Sequence, residues 1–421
     1  MIKYKWLIAI VFALNISNSV FAQITFSPYT RSGIGDLSGN GLANSLGMGD
    51  VGIATPSFWH INNLNPALLV NNNFSVFQMG AAGESRKIET DQASGKNDAW
   101  GIKYLAFAFP VIPSKWTTSM GMMPYSTVNY AFSGLSTVPG TTVPVETFNK
   151  GTGGISQVYF ANGFSINDKL SVGINATYLF GLVETETITD IGDNTFVAPF
   201  PTALYEKIGY NGFKFKGGVS YRHDLGELSY LNFGAVYETK TDLDGERFLR
   251  LERRSATGLA LAGDTLLLDE RGTFNAPSQF GIGVSWEKAN KFILGLDIKF
   301  NQWAKNPEFR NTTNEYINTT FIGIGIEFVP DYTDINSYFK RIRYRFGASF
   351  EQVPYLVQNQ KITDFGINFG WSLPVGVSNL DMGFKYGQRG SVSNNLIRER
   401  YFKFVLGATI NDRWFVRRKY D

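Results

Sequence analysis

Residues 170–182 read Leu-Ser-Val-Gly-Ile-Asn-Ala-Thr-Tyr-Leu-Phe-Gly-Leu. Leu170, Val172, Ile174, Ala176, Tyr178, Phe180 and Leu182 share one side of an extended chain. Ser171, Gly173, Asn175, Thr177 and Gly181 take the other, with Leu179 among them. Side chains alternate across a strand, so this is a ribbon with one apolar and one polar face. A soluble strand usually runs about 5–6 residues, and a tilted membrane strand about 9–11. The stretch has membrane length.

The pattern recurs. Phe292, Leu294, Leu296, Ile298 and Phe300 alternate with Lys291, Ile293, Gly295, Asp297, Lys299 and Asn301. Ile342, Tyr344, Phe346, Ala348 and Phe350 alternate with Arg343, Arg345, Gly347 and Ser349. Similar runs surround Phe365–Leu373 and Phe402–Ile410. In a membrane barrel the apolar face meets lipid and the Gly, Ser, Asn and charged face meets the lumen. Strands are expected near 75–85, 101–110, 115–124, 154–165, 170–182, 211–222, 229–240, 277–287, 291–303, 319–328, 341–350, 362–373, 379–388 and 400–410, which makes fourteen. Short connections such as 166–169 and 374–378 alternate with long ones at 125–153, 183–210 and 241–276. Outer-membrane barrels show that rhythm of short periplasmic turns and long outer loops. The segment 329–340 breaks it, being long where a short turn is expected. The fold class is therefore all-β, a transmembrane antiparallel barrel.

Composition agrees. The 421 residues are 43% hydrophobic, 15% aromatic and only 18% charged, with 44 glycines and no cysteine. So much aromatic surface excludes disorder, and the missing cysteine excludes a disulfide scaffold. A net charge of +3 supplies no basic field for nucleic acid. After the first 22 residues no apolar run reaches the length of a helical span. Lys3 and Lys5, the apolar run Trp6–Leu14 and Val20-Phe21-Ala22 read as a secretory signal over residues 1–22, cut before Gln23. Residues 23–73 then form a Gly- and Asn-rich N-terminal segment, too apolar for a loose tail. A periplasmic hatch that plugs the barrel and an extra strand with a loop both fit it. The barrel is expected over 74–410, with 411–421 as a tail or closing strand.

Within 23–73 stands Ser45-Leu46-Gly47-Met48-Gly49-Asp50-Val51-Gly52-Ile53-Ala54, followed by Asn65-Pro66-Ala67. This resembles the hatch of the FadL family, outer-membrane channels for long-chain fatty acids and other hydrophobic compounds, including the TodX type. Gly47, Met48, Gly49, Asn65, Pro66 and Ala67 carry the likeness. Pro277, Gly281, Gly283, Asp297 and Trp303 resemble a later strand pair of that family. The resemblance implies a 14-stranded barrel with an N-terminal hatch. It also implies capture at an apolar outer groove and passage without ATP. It extends to barrels attached to protein secretion, such as PorV, so fold alone does not set the cargo. The final residues, Trp414 to Asp421, depart from a terminal aromatic and leave open whether 400–410 or 413–420 closes the barrel.

No catalytic pattern emerges. His60 and His223 are the two histidines, and no HExxH, P-loop or GxSxG occurs. Gly151-Thr152-Gly153-Gly154 reads as the flexible start of a strand. No cofactor or metal is expected. Lys214, Lys216, Arg222, Lys299, Arg343, Arg345, Lys385 and Lys403 are expected inside the barrel, against Glu287, Asp297, Glu327 and Asp381. They form either internal salt bridges or a positive interior for an anionic head group, with Arg343, Arg345, Lys214 and Lys216 as candidate ligands. Phe196, Phe200, Leu204, Tyr205, Leu259 and Leu266 are candidate walls of an outer apolar groove. The expected function is passive uptake of hydrophobic or amphipathic small molecules across a Gram-negative outer membrane. The alternative is a structural or shuttle component of a secretion or surface complex. Expected partners are membrane lipid, a hydrophobic ligand and, in the alternative, an envelope protein, but no nucleic acid.

Overall fold

The computed structural model describes residues 25–191, 200–255, 257–303, 316–393 and 396–414. The expected leader, residues 1–22, and Phe196 lie outside them. The chain forms a closed antiparallel barrel of fourteen strands. They are β1 (Ser75–Glu89), β2 (Ser94–Ile112), β3 (Trp116–Thr137), β4 (Pro144–Ser165), β5 (Leu170–Ile191) and β6 (Thr202–Gly226). Next come β7 (Ser229–Glu238, continuing as Thr241–Arg254) and β8 (Ala260–Ala276, continuing as Ser278–Lys288). The rest are β9 (Phe292–Gln302), β10 (Thr319–Phe328), β11 (Arg343–Val357), β12 (Gln360–Val375), β13 (Ser378–Arg389) and β14 (Arg398–Asp412). Closure is made by β14 on β1, with Asp412 opposite Ser75 and Arg398 opposite Glu89.

The alternation read from sequence is the inside–outside pattern of the wall. Phe213 and Phe215 of β6, Ile322 and Ile324 of β10 and Phe402 and Phe404 of β14 point outward and are exposed. Neighbouring strands stack these rings, as in Phe328–Tyr344 at 5.3 Å and Phe369–Phe384 at 4.9 Å. Lipid covers such a belt. Among the described residues no helix is long and apolar enough to cross a membrane.

The outer side corrects the sequence reading. Three stretches expected as long loops are largely sheet. β3 runs on to Thr137, β5 to Ile191, and Thr241–Arg254 pairs with Ala260–Ala276 as a tall hairpin. Above the lipid, both faces meet water. The ladder can then continue without an apolar face, and the alternation that marks a strand disappears. Pro277 interrupts β8, since it has no N–H for the ladder. There β6 changes neighbours: residues 216–226 pair with Ser229–Glu238, and residues 202–211 with Thr241–Arg254.

Residues 25–73 pack against the inner wall. Wall glycines make room for them. A side chain at Gly234 would collide with the Ile53 carbonyl, and one at Gly325 with that of Met48. That is why glycine recurs on the inward face of the strands.

Candidate functional site: a locked lumen and an open wall

The N-terminal segment is held by its own turns first. Asn65 caps the short 3₁₀ helix Pro66–Asn71: its side chain accepts from the Ala67 N–H, and Pro66 supplies the fixed φ of the first turn. The amide of the same side chain donates to the carbonyls of Ile53 and Val219, at 2.8 and 3.1 Å. The Asn-Pro-Ala triplet thus ties a turn, the segment and β6 together. Gly47 lies against Gly370 of β12, and Gly49 against carbonyls of β10 and β11. Met48 is buried, its carbonyl facing Gly325.

Charged wall residues complete the hold. The Gly52 and Ile53 N–H groups donate to Asp297 Oδ2 at 2.7 and 2.9 Å. His60 Nε2 lies 2.8 Å from Asp381 Oδ1, and Asp381 also accepts from Ser372 and Thr409. Ser57 Oγ lies 3.3 Å from His60 Nδ1, but it also receives the N–H groups of Trp59 and His60 as a turn cap. That makes it a local brace. Higher in the barrel, Arg389 bridges Asp36 of the segment to Asp364 of β12. Ser27 donates to Glu399, which also binds Arg86.

Each candidate ligand cation has a carboxylate. Arg345 reaches Glu327 at 2.7 Å and Ser372 at 2.6 Å, and is 1% exposed. Arg343 reaches Glu327 at 3.2 Å. Lys214 and Lys216 share Glu238, at 2.7 and 3.1 Å. Arg222 pairs with Glu287, Lys385 with Asp364 and Lys403 with Glu84. The basic bias expected inside is therefore offset. Glu84, Glu238, Glu351, Asp364 and Glu399 add inward acids beyond those read from sequence. The cavity left among these groups is polar and measures about 180 Å³.

The wall holds a different kind of space. β2 and β3 are bonded only from Leu105–Met122 down to Ile112–Trp116. Above that point they separate, while β3 stays paired with β4 along its whole length. The cause is local. Pro124 sits at a register shift of β3, and Gly153 and Gly154 of β4 take φ of +111° and +145°. Only glycine tolerates those angles, and such bulges bend a strand. The Gly151–Gly154 run therefore lies inside β4 and does not start it. Part of the free edge of β3 is covered from inside. Asp36–Leu37 pairs with residues 126–127, and Ser27 N–H donates to the Asn129 carbonyl at 2.9 Å. Outside lies a cavity of about 730 Å³ lined by Ile102, Leu105, Met122, Phe180 and Leu182, with Lys103 and Glu184 at its polar margin.

The outer candidates do not converge on one groove. Leu204 lines a vestibule of about 1040 Å³ with Leu249, Glu206 and Arg247. Tyr205, one residue on, faces the opposite side and donates to Glu184 at 3.0 Å. Phe200 lies under the Arg253 guanidinium. Leu259 and Leu266 are exposed on the tall hairpin. Among the described residues no group of three or more His, Asp or Glu could hold a metal ion.

The family model described as BamG matches residues 1–421. The chain belongs to the BamG family. No curated protein matches it in sequence. Solved structures match in fold. The CymD monoaromatic hydrocarbon channel is 17% identical with a TM-score of 0.58, covering 90% of this chain and 99% of that one. The Ralstonia pickettii toluene transporter TbuX gives 16%, 0.58, 89% and 98%. A Pseudomonas aeruginosa FadL homologue gives 13%, 0.57, 90% and 99%. At these identities the likeness shows the barrel and no more.

Proposed function

We propose that this barrel is an outer-membrane channel through which hydrophobic or amphipathic small molecules pass by the gap between β2 and β3. The observation that carries this reading is the apolar cavity at that gap. Backbone groups that leave the ladder at membrane depth are tolerated where protein covers them or they line a cavity, and the β3 edge does both. The cavity has the size of a small-molecule site. Its lining is mainly apolar with Lys103 and Glu184 at the margin, which suits a molecule with one polar end. Residues 23–73 act as the plug, keeping the lumen closed to water and solutes while the wall stays open. The fold likeness to a monoaromatic hydrocarbon channel, a toluene transporter and a FadL homologue supports the same reading. The leader read at 1–22 supports export to the outer membrane.

A second reading rests on the lumen. An interior filled by the N-terminal segment and neutralised by ion pairs suits a rigid component of an envelope protein complex as well as a channel. One experiment separates the two. The gene is deleted, and uptake of a fluorescent hydrophobic probe by intact cells is measured beside the protein content of the cell surface. Loss of uptake with an unchanged surface supports the channel. Normal uptake with depleted surface proteins supports the complex and rejects the channel.

A further inference from the structure

The long periplasmic turn, residues 329–342, is rigidly built. Asp331 accepts from the Thr333 N–H and hydroxyl at 3.0 and 2.7 Å. Asp334 accepts from the N–H groups of Asn336 and Ser337, both at 2.8 Å, and from Lys340 Nζ at 2.7 Å. The Asp331 N–H donates to the Lys340 carbonyl at 2.9 Å, closing the loop on the short helix Tyr338–Arg341. This frame displays apolar side chains to the outside: Ile335 is 88% exposed and Phe339 73%. An ordered loop that spends its hydrogen bonds on holding such residues outward marks a contact surface.

Its position identifies the contact. Tyr344, in the lipid-facing aromatic row of β11, donates its hydroxyl to the Phe339 carbonyl at 3.1 Å. Tyr338 donates to the Pro374 carbonyl at 3.0 Å, beside exposed Val375 and Val377. The patch is thus the lower continuation of the belt already covered by lipid. Tyrosine and basic side chains at that depth meet head groups. Arg341 fits the same place. Its guanidinium lies 5.3 Å from the Tyr338 ring centre, with Nε buried and without an acceptor. No carboxylate among the described residues pairs with it, unlike neighbouring Lys340, Arg343 and Arg345. Arginine pairs well with phosphate.

We propose that this turn is a phospholipid-binding site of the periplasmic leaflet, in which Arg341 holds the lipid phosphate while Ile335 and Phe339 sit among the upper acyl carbons. A protein partner would need its own reason for an interface running edge to edge into the lipid belt. The chain has no cysteine, so a single one reports cleanly. Full-length Ile335→Cys and Phe339→Cys proteins are spin-labelled and reconstituted in phosphatidylethanolamine–phosphatidylglycerol vesicles. Both labels should collide several-fold more with oxygen, which dissolves in lipid, than with a water-soluble nickel chelate. In the unlabelled protein, Arg341→Gln should lose a phospholipid retained through detergent washing, as read by phosphorus assay, and Arg341→Lys should keep part of it. Nickel-accessible labels, or equal lipid retention in Arg341→Gln, would overturn the proposal. Labels open to nickel in vesicles but shielded in native outer membranes would assign the turn to a protein partner and also overturn it.

Discussion

The lumen and the wall gap lie a few side chains apart and are built on opposite principles. The lumen is packed with polypeptide, and most of its inward charges are paired. The gap is a fault in the ladder, yet its cavity of about 730 Å³ is larger and more apolar than the 180 Å³ left among the lumen ion pairs. A 14-stranded barrel therefore does not imply a central pore. Residues 25–73 touch both places: they pack against the inner wall and cover part of the free edge of β3.

Breaking the lumen should affect stability most. Arg345→Leu leaves Glu327 with the longer Arg343 contact alone and weakens the Ser372–Asp381–His60 chain. Removing one member of a buried pair costs about 3–5 kcal/mol. The urea midpoint of the vesicle-reconstituted barrel should fall accordingly, with hydrophobe uptake falling only as folded protein is lost. Asp297→Leu leaves the Gly52 and Ile53 N–H groups without their acceptor, at about 1–3 kcal/mol for a buried orphan. It should loosen the N-terminal segment and raise single-channel ion conductance in planar bilayers. Unchanged conductance would mean that the segment does not seal the lumen through this contact.

The periplasmic turn gives the smallest effect, and its sign follows from Asp334. The Lys340 ammonium and two backbone N–H groups hold that carboxyl down at about 2. A carboxyl lowered by folding stabilises above its unfolded value, near 4, and loses that contribution as pH falls toward 2. A spin label at Ile335 should keep its immobilised lineshape from pH 7 to about 4 and become mobile only below. Mobility arising near pH 6 would contradict the assigned hold.

Much of this was legible in the residues. The period-2 runs identified the strands within the lipid, and Asn65-Pro66-Ala67 marked a turn of the N-terminal segment. The outer continuations of β3 to β8 were not legible, because a strand wet on both faces has no apolar alternation. The lumen pairs were legible only in part. Glu84 lies near Lys403 because β1 meets β14, and no local pattern announces a contact across the whole chain. The gap left a signal that reads two ways. Pro124 and the Gly151–Gly154 run look like strand ends, yet they are bends inside long strands. Outer-groove candidates failed to gather for a similar reason: Leu204 and Tyr205 are adjacent in a strand, so they face opposite sides.

The most direct test fills the gap and leaves the lumen alone. Met122→Trp places an indole in the cavity beside Leu105 and Phe180, away from every ion pair that holds the N-terminal segment. Uptake of a fluorescent hydrophobic probe is then compared in deletion cells carrying equal amounts of wild-type or variant barrel. The wild-type chain should restore uptake, and Met122→Trp should cut the rate about tenfold, equivalent to ~1.4 kcal/mol on the barrier, with an unchanged unfolding midpoint. Equal uptake by the two barrels would contradict passage through the wall.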